Sequence, residues 1–215
     1  MLNTKRLKLK VCGMKFAANI AAVAELQPDY LGFIFYEKSP RFITEVSAEL
    51  IKYIPSEIKT TGVFVDEDLE KVKEKVSLHK LKAIQLHGKE SPAYCSDLSS
   101  TFPTIEVIKA FGVDEDFEFS VLEPYLNVVN YFLFDTKTKA HGGSGKTFDW
   151  MILEKYTHPK PYFLSGGIDL QHASAITEII DERLYALDIN SRFEVEPGLK
   201  DAEKIKEFIK EMSTK

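Results

Sequence analysis

Short apolar segments alternate with amphipathic segments along the whole chain. Most of the apolar segments lack the polar alternation of a half-exposed strand, as is typical of parallel strands buried on both faces. They recur at intervals of about 20–30 residues, which is the length of one compact βα unit. Eight such segments predict eight strands, at 7–12, 30–35, 61–65, 81–86, 105–111, 128–135, 162–165 and 184–189.

Helical periodicity or helix end signals follow each predicted strand. Ser91 and Pro92, for example, have the residue types of an N-cap and a first helical position. Strict alternation of strands and helices predicts a parallel sheet, and eight repeats predict closure into a (β/α)8 TIM barrel, formed by a single domain over residues 1–215. The helices are expected at 17–26, 45–54, after 66–68, after 91, and at 119–126, 149–156, 171–180 and 202–212.

A doubly wound open sheet is the alternative fold for such a pattern. It would predict a glycine-rich G-x-G-x-x-G turn after the first strand. The first strand is instead followed by Cys12-Gly-Met-Lys-Phe16. The barrel is therefore favoured.

Composition and charge narrow the classes of function. The 215 residues are 44% hydrophobic and 28% charged, as in a soluble globular protein. A net charge of -5 argues against a nucleic-acid partner, and the absence of a long apolar run argues against a membrane span. The N-terminus lacks the apolar region of a signal peptide, and two cysteines indicate free thiols in a reducing cytoplasm. Because no His/Cys cluster has zinc-ligand spacing, we expect neither a metal nor a cofactor.

The carboxyl ends of the predicted strands carry side chains suited to chemistry. Active sites of (β/α)8 barrels lie at this end, so Cys12, Arg41, His87 and Asp135 would share one rim. Each has a structural alternative: an inert buried thiol, a solvated charge, a histidine capping its own turn, and a carboxylate that begins a turn. The alternatives remain open for each residue taken alone.

The loops after the last two strands are suited to an anion. Barrels often bind phosphate there, because glycines admit an anion to the backbone and a following helix presents free N–H groups. Gly166 and Gly167 follow the seventh strand, and Asn190 and Ser191 follow the eighth. The competing interpretation of the two glycines is a tight turn.

A second glycine-rich segment, residues 142–147, resembles the end of a P-loop. Position 140, where that motif requires its first glycine, is Ala140, and the segment follows the sixth strand rather than the first. Nucleotide triphosphate binding is therefore rejected. Gly142 and Gly143 are predicted to contact substrate as part of a mobile loop that covers the site.

Taken together, these segments resemble the phosphoribosylanthranilate isomerase family over the whole chain. The resemblance rests on motifs that occur in order at the strand ends: Lys10-Val-Cys-Gly13, Gly32-Phe-Ile-Phe35, Lys38-Ser-Pro-Arg41, Gly62-Val-Phe-Val65, Gln85-Leu-His-Gly88, Asp135 with 142–150, Leu164-Ser-Gly-Gly167, Asp188-Ile-Asn-Ser191 and Pro197-Gly-Leu-Lys-Asp201.

The resemblance implies an Amadori rearrangement of a small phosphosugar, in which Asp135 is the general acid and Cys12 the general base. It also implies that Arg41 binds the anthranilate carboxylate, and that Gly166, Gly167, Asn190 and Ser191 bind the phosphate; such an enzyme is a monomer or a homodimer. We expect burial to raise the pKa of the acid, and nearby positive charge to lower the pKa of the thiol.

Two departures from the family pattern accompany the resemblance. Arg192 stands where the family often has glycine, and 169–172 replace the usual residues after Gly167. Two other functions remain as alternatives. A related isomerase of the histidine pathway would commonly use two aspartates, and a non-catalytic phosphate-binding protein would need no acid and base.

Overall fold

The computed structural model describes residues 6–136 and 150–213, and its central element is a closed barrel of eight parallel strands. Strand β1 pairs with β2 on one side and with β8 on the other, from Lys8↔Ala186 to Val11↔Ile189. This pairing closes the sheet, so the predicted (β/α)8 barrel is confirmed and the open doubly wound sheet is wrong. The strands are β1 Lys8–Val11, β2 Tyr30–Ile34, β3 Lys59–Phe64, β4 Ala83–Leu86, β5 Glu106–Val113, β6 Tyr131–Thr136, β7 Tyr162–Ser165 and β8 Leu184–Ile189.

Six α-helices are present in the described part of the chain, on the outside of the barrel. Their ends follow the predicted caps where the sequence signals were clear: Ser91 Oγ accepts from the Tyr94 amide at 3.2 Å, with Pro92 at the first helical position. The helices are α1 Ala17–Glu25, α2 Ala48–Ile51, α3 Leu69–Leu78, α4 Pro92–Thr101, α5 Ala173–Thr177 and α6 Ala202–Met212.

Four predicted helices are shorter or tighter than expected. The helix predicted at 45–54 begins only after Ser47, whose hydroxyl caps the Leu50 amide. The segment Phe119–Tyr125 is a 3₁₀ helix, and it contains Pro124, which has no N–H to donate. Trp150–Lys155 is also 3₁₀, and the helix predicted at 171–180 is the 3₁₀ turn Leu170–His172 followed by the five residues of α5.

A short hairpin after β8 was not predicted. Its strands are β9 Glu194–Glu196 and β10 Leu199–Lys200, and the turn uses Gly198 at φ +91. A positive φ is readily adopted by glycine, which accounts for Gly198 in the turn. The hairpin matters for the site, because it places Glu194 and Lys200 beside the loop that follows β8.

Apolar side chains fill both sides of the sheet. Leu9 and Val11 point outward to the helices, while Ile108, Leu133 and Phe163 fill the barrel interior. Burial of each such side chain contributes about 1.5–3 kcal/mol. The interior is therefore a packed core that leaves room for a ligand only at the ends of the barrel.

Candidate active site

A cavity of about 210 Å³ opens at the carboxyl ends of the strands. A larger cavity, of about 560 Å³, lies at the opposite end near Arg6 and Gln27, on the face that in barrels of this kind serves stability rather than catalysis. The rim cavity brings together most of the residues that the sequence singled out. Those lining it are Cys12, His87, Asp135, Gly166, Gly167, Asn190 and Ser191.

The Cys12 thiol lies at the end of β1 in a tightly fitted pocket. Its amide donates to the Ile189 carbonyl at 2.9 Å, and its side chain is 3% exposed. A Cβ at Gly32 would lie 2.8 Å from the Cys12 sulfur, so only glycine leaves space for the thiol there. Gly13 has φ +79, and a Cβ there would meet Arg41 and Asn190. The glycines of two sequence motifs thus make room for the thiol and for the residues around it.

The expected lowering of the Cys12 pKa is wrong. Burial raises the pKa of this thiol, and Lys10 and Lys200 lower it only in part, so the pKa lies above its ordinary value. The positive charges that the interpretation required are present, but the removal of water outweighs them. Burial therefore opposes the thiolate form of Cys12.

Asp135 stands at the end of β6, and the strands β7 and β8 separate it from β1. Its carboxylate lies 3.4 Å from His87 Nε2, and its side chain is 37% exposed. The burial expected for the acid is therefore wrong. On the other side of the imidazole ring, His87 Nδ1 lies 2.8 Å from the Gln85 amide nitrogen. With that amide as donor, Nδ1 accepts and Nε2 carries the proton that faces Asp135.

A buried ion pair fixes the turn that follows His87. Lys109 Nζ lies 3.2 Å from Glu90 Oε2, with both side chains 2% exposed, and also donates to the Gly88 carbonyl at 2.8 Å. Glu90 accepts from the amides of Asp66 and Gly88. These bonds join the ends of β3, β4 and β5. The bonds of Lys109 and Glu90 therefore support the position of His87 at the rim.

The loop after β7 offers its backbone to the cavity. Gly166 and Gly167 have φ values of +95 and +67, and Gly167 has open space where a Cβ would stand. The predicted helix N-terminus behind this loop is partly occupied, because Asp169 Oδ1 accepts from the Leu170 amide at 2.7 Å and the Asp169 amide donates to His172. An anion at this loop would be bound by the glycine backbone rather than by a long helix dipole.

The loop after β8 is held by contacts with α6 on one side, and its exposed residues line the cavity on the other. Ser191–Phe193 forms a 3₁₀ turn, in which Phe193 is 0% exposed and packs on Phe208. Lys204 Nζ donates to the Arg192 carbonyl at 2.7 Å. Arg192 does not have positive φ, so the arginine fits without backbone strain where the family often has glycine. It is exposed and lines the cavity beside Ser191.

Arg41 is held at the side of the rim by an acid that the sequence did not single out. Its Nε and Nη2 atoms donate to Glu194 at 2.8 and 2.5 Å, and Lys200 Nζ donates to the same carboxylate at 2.6 Å. The pair with Glu194 raises the pKa of Arg41. Unlike the other described residues of the predicted site, Arg41 does not line the 210 Å³ cavity. Its side chain lies against Gly13, next to Cys12.

Other predictions concern residues beyond this cavity. Gly142 and Gly143 lie outside the described residues. Both Cys12 and Cys95 are free, as predicted, and both are buried. In residues 6–136 and 150–213, no group of three or more metal-binding side chains occurs, and no helix has the length and apolar character needed to cross a membrane.

Sequence reasoning missed the charged residues beneath the rim. Lys10 and Asp188 form an ion pair of 2.9 Å inside the barrel, with side chains 0% and 5% exposed. Glu194 and Lys200 form a second buried pair, at 4% and 0%. Lys10 was detectable, because it shares strand parity with Cys12 and so points to the same side of β1. Glu194 and Lys200 depend on a hairpin that had no strong signal.

The closed barrel, with a polar cavity at the carboxyl ends of its strands, places the chain among the (β/α)8-barrel enzymes. The family model for N-(5'-phosphoribosyl)anthranilate (PRA) isomerase matches residues 9–211. The N-(5'-phosphoribosyl)anthranilate isomerase of Parabacteroides distasonis is 43% identical over 206 residues, covering 95% of this chain and 92% of the relative. The chain belongs to the family of N-(5'-phosphoribosyl)anthranilate isomerases, enzymes of tryptophan biosynthesis.

Solved structures agree with this assignment. The crystal structure of the Thermotoga maritima phosphoribosylanthranilate isomerase superposes with a TM-score of 0.83 at 34% identity, covering 96% of this chain and 98% of that one. A second structure holds reduced 1-(o-carboxyphenylamino)-1-deoxyribulose 5-phosphate. It superposes with a TM-score of 0.78 at 31% identity, again covering 96% and 98%.

Proposed function

We propose that this chain catalyses the Amadori rearrangement of N-(5'-phosphoribosyl)anthranilate to 1-(o-carboxyphenylamino)-1-deoxyribulose 5-phosphate, the third step of tryptophan synthesis from chorismate, with Asp135 as general acid and Cys12 as general base. One observation carries the proposal: Cys12 and Asp135 line a single rim cavity together with the glycine loop after β7 and the turn after β8. An acid and a base on different sides of one cavity suit a sugar that must gain a proton at one atom and lose one at another.

The first step opens the furanose ring. Asp135 gives a proton to the ring oxygen, the bond from that oxygen to C1' breaks, and the nitrogen lone pair forms a C1'=N bond. Substrate in the cavity displaces water from the partly exposed carboxyl group of Asp135. His87, 3.4 Å from Asp135, stabilises the carboxylate that remains.

The second step moves a proton from carbon. Cys12 as thiolate takes the proton from C2', the electron pair of that bond forms C1'=C2', and the positive nitrogen becomes neutral. The enol relaxes to the ketone when C1' gains a proton and the C2' hydroxyl loses one. The cationic C1'=N group near Cys12 favours the thiolate, so ring opening itself helps to generate the base.

Backbone groups and charged side chains are proposed to bind different parts of the substrate. The phosphate would lie at Gly166 and Gly167 and at the turn that begins with Asn190 and Ser191, where the amides of Ser191 and Arg192 have no acceptor among the described residues. Glu194 occupies Nε and Nη2 of Arg41, which leaves Nη1 for the anthranilate carboxylate. Gly142 and Gly143 are proposed to belong to the loop that covers the sugar.

Rescue of a tryptophan auxotroph that lacks this isomerase tests the function. The unchanged chain should restore growth, whereas Asp135→Asn and Cys12→Ala should fail and should lose about 10³-fold or more of kcat in purified protein. Cys95→Ala is the matched control, because it removes a buried thiol outside the cavity. Failure of the well-expressed unchanged chain would contradict the function, and near-normal kcat in Asp135→Asn would remove the acid role. A histidine-pathway isomerase is disfavoured by a cysteine at the first strand end, and an assay with both substrates separates the two.

A further inference from the structure

The interior of the barrel contains an ion pair that the proposed reaction does not use. Lys10 lies on β1 with its side chain 0% exposed, and its Nζ is 2.9 Å from Asp188 Oδ1. Many other inward positions of the barrel are apolar, among them Ala83, Ile108 and Leu133. Replacing a buried ion pair by apolar side chains is often neutral or stabilising, so stability alone does not account for the pair.

Strand geometry brings this pair against Cys12. Lys10 and Cys12 are two residues apart on β1, so their side chains share one side of the strand. Lys10 and Asp188 are direct neighbours in the register of β1 and β8, and both Cys12 and Asp188 line the rim cavity. The Lys10 ammonium group donates to the Asp188 carboxylate at 2.9 Å, and its charge also acts on the Cys12 sulfur.

Four charged groups act on the Cys12 sulfur. Lys10 and Lys200 favour the thiolate, Asp188 opposes it, and the Arg41 charge also interacts with it. Lys10 stays charged, because Asp188 and Cys12 outweigh the effect of burial and raise its pKa. Asp188 therefore has two opposing effects: it holds the ammonium group in place, and it competes with the sulfur for that charge.

We propose that Lys10 is the positioning residue that stabilises the Cys12 thiolate, and that Asp188 is the counter-ion that holds Lys10 and limits this stabilisation. The proposal rests on the proposed role of Cys12 as base. Lys10 neither gains nor loses a proton in the cycle. When Cys12 is a thiolate the ammonium group has a full negative partner, and when the sulfur takes the C2' proton the ammonium returns to Asp188.

The test measures the ionisation of Cys12 without turnover. The rate of alkylation of Cys12 by iodoacetamide is followed against pH, with the modified peptide quantified by mass spectrometry so that Cys95 does not contribute. Lys10→Met should raise the apparent pKa of alkylation by about one unit or more, since a nearby opposite charge shifts a pKa by about 1–3 units, and Asp188→Asn should lower it, since a like charge opposes the thiolate. Shifts of the alkylation pKa in opposite directions would support the proposal, because a purely structural defect would not shift the pKa upward in one variant and downward in the other.

Controls keep the test decisive. Lys8→Met removes the other lysine of β1, which pairs with Asp29 at the far end of the strand, and should leave the alkylation pKa unchanged. If Lys10→Met unfolds, the double variant Lys10→Met/Asp188→Asn removes both charges, and its alkylation pKa should lie above that of Asp188→Asn alone. Equal pKa values in these two variants, or a Lys10→Met value within about 0.3 units of the unchanged protein, would overturn the proposal.

Failure of this proposal and failure of the proposed function give different results. If the chain lacks isomerase activity while the opposite shifts occur, the role of Lys10 stands and the assigned reaction is wrong. If the isomerase is active and depends on Cys12 while the alkylation pKa ignores Lys10, the reaction stands and the thiolate is stabilised by other groups.

Discussion

Replacement of Glu194 by glutamine should destabilise the protein strongly, although the two side chains have nearly the same shape. The Glu194 carboxylate is 4% exposed and accepts two bonds from Arg41 Nε, one from Arg41 Nη2 and one from Lys200 Nζ. It also accepts from the Gly198 amide at 3.1 Å. The Lys200 side chain is 0% exposed, and a neutral amide cannot balance its charge.

The size of the loss follows from Lys200. Removing one partner of a buried ion pair costs about 3–5 kcal/mol, because the remaining charge is left without compensation. The protein can escape that cost by burying Lys200 uncharged. Moving its pKa from 10.5 to neutral pH spans about 3.5 units, or about 5 kcal/mol, which sets the upper limit. We therefore expect Glu194→Gln to lower the free energy of unfolding by about 3–5 kcal/mol, and Tm by about 6–20 °C.

The pH dependence gives a second check, with a defined sign. In the variant the unfolded chain binds the Lys200 proton more strongly than the folded chain does, so stability rises with pH. The deficit should shrink by up to about 1.4 kcal/mol per unit of pH above neutrality. Urea unfolding at about pH 7 and about pH 8.5 measures both quantities. Glu74→Gln, at an exposed position of α3, is the control and should stay within about 0.5 kcal/mol of the unchanged protein. A Glu194→Gln loss below about 0.5 kcal/mol, or one that grows with pH, would refute this reasoning.

Two further substitutions probe the rim. Arg192→Ala should raise KM for the phosphorylated substrate by about tenfold, with kcat nearly unchanged and a weaker dependence of KM on salt, because it removes a cation that lines the cavity beside the phosphate loops. The matched control is Arg6→Ala, at the opposite end of the barrel, and equal KM values in the two variants would exclude a role of Arg192 in phosphate binding. Lys109→Met should lower the free energy of unfolding by about 3–5 kcal/mol, because Glu90 would remain buried and unpaired. The double variant Lys109→Met/Glu90→Gln should recover part of that loss in the same urea assay, and no recovery would mean that the loss comes mainly from the bonds of Lys109 to backbone carbonyls.

The fold could be predicted because its signals are local and repeated. Continuous apolar runs such as 162–165 and 184–189 coincide with β7 and β8, and the amphipathic segment 202–212 coincides with α6. The type and length of the helices between the strands were harder to predict, because packing and capping determine them. Asp169 and His172 cap each other at the start of the 3₁₀ turn, a contact that the composition of 171–180 does not reveal.

The candidate site was predictable where its residues lie at strand ends. The alternation of strands and helices alone places Cys12 and Asp135 at one rim, and the structure brings both to one cavity. Electrostatics was not predictable in the same way. The pKa of Cys12 depends on how completely water is excluded and on which charges remain, and Asp188 and Lys200 reach the sulfur from positions remote in sequence.

Lys10 illustrates how strand parity extends such predictions. The alternation Leu7-Lys-Leu-Lys-Val suggests a half-exposed strand with its lysines in solvent, yet Lys10 is 0% exposed. In a barrel the face opposite the helices is the interior, so the polar face of β1 must point inward and its charge must find a partner there. Once Cys12 is placed in the cavity, parity assigns Lys10 to the layer below it. Asp188, the register neighbour of Lys10 on β8, then becomes the natural counter-ion. A lysine two residues before a proposed nucleophile or base on a barrel strand is thus better interpreted as part of its electrostatic environment than as a solvated surface charge.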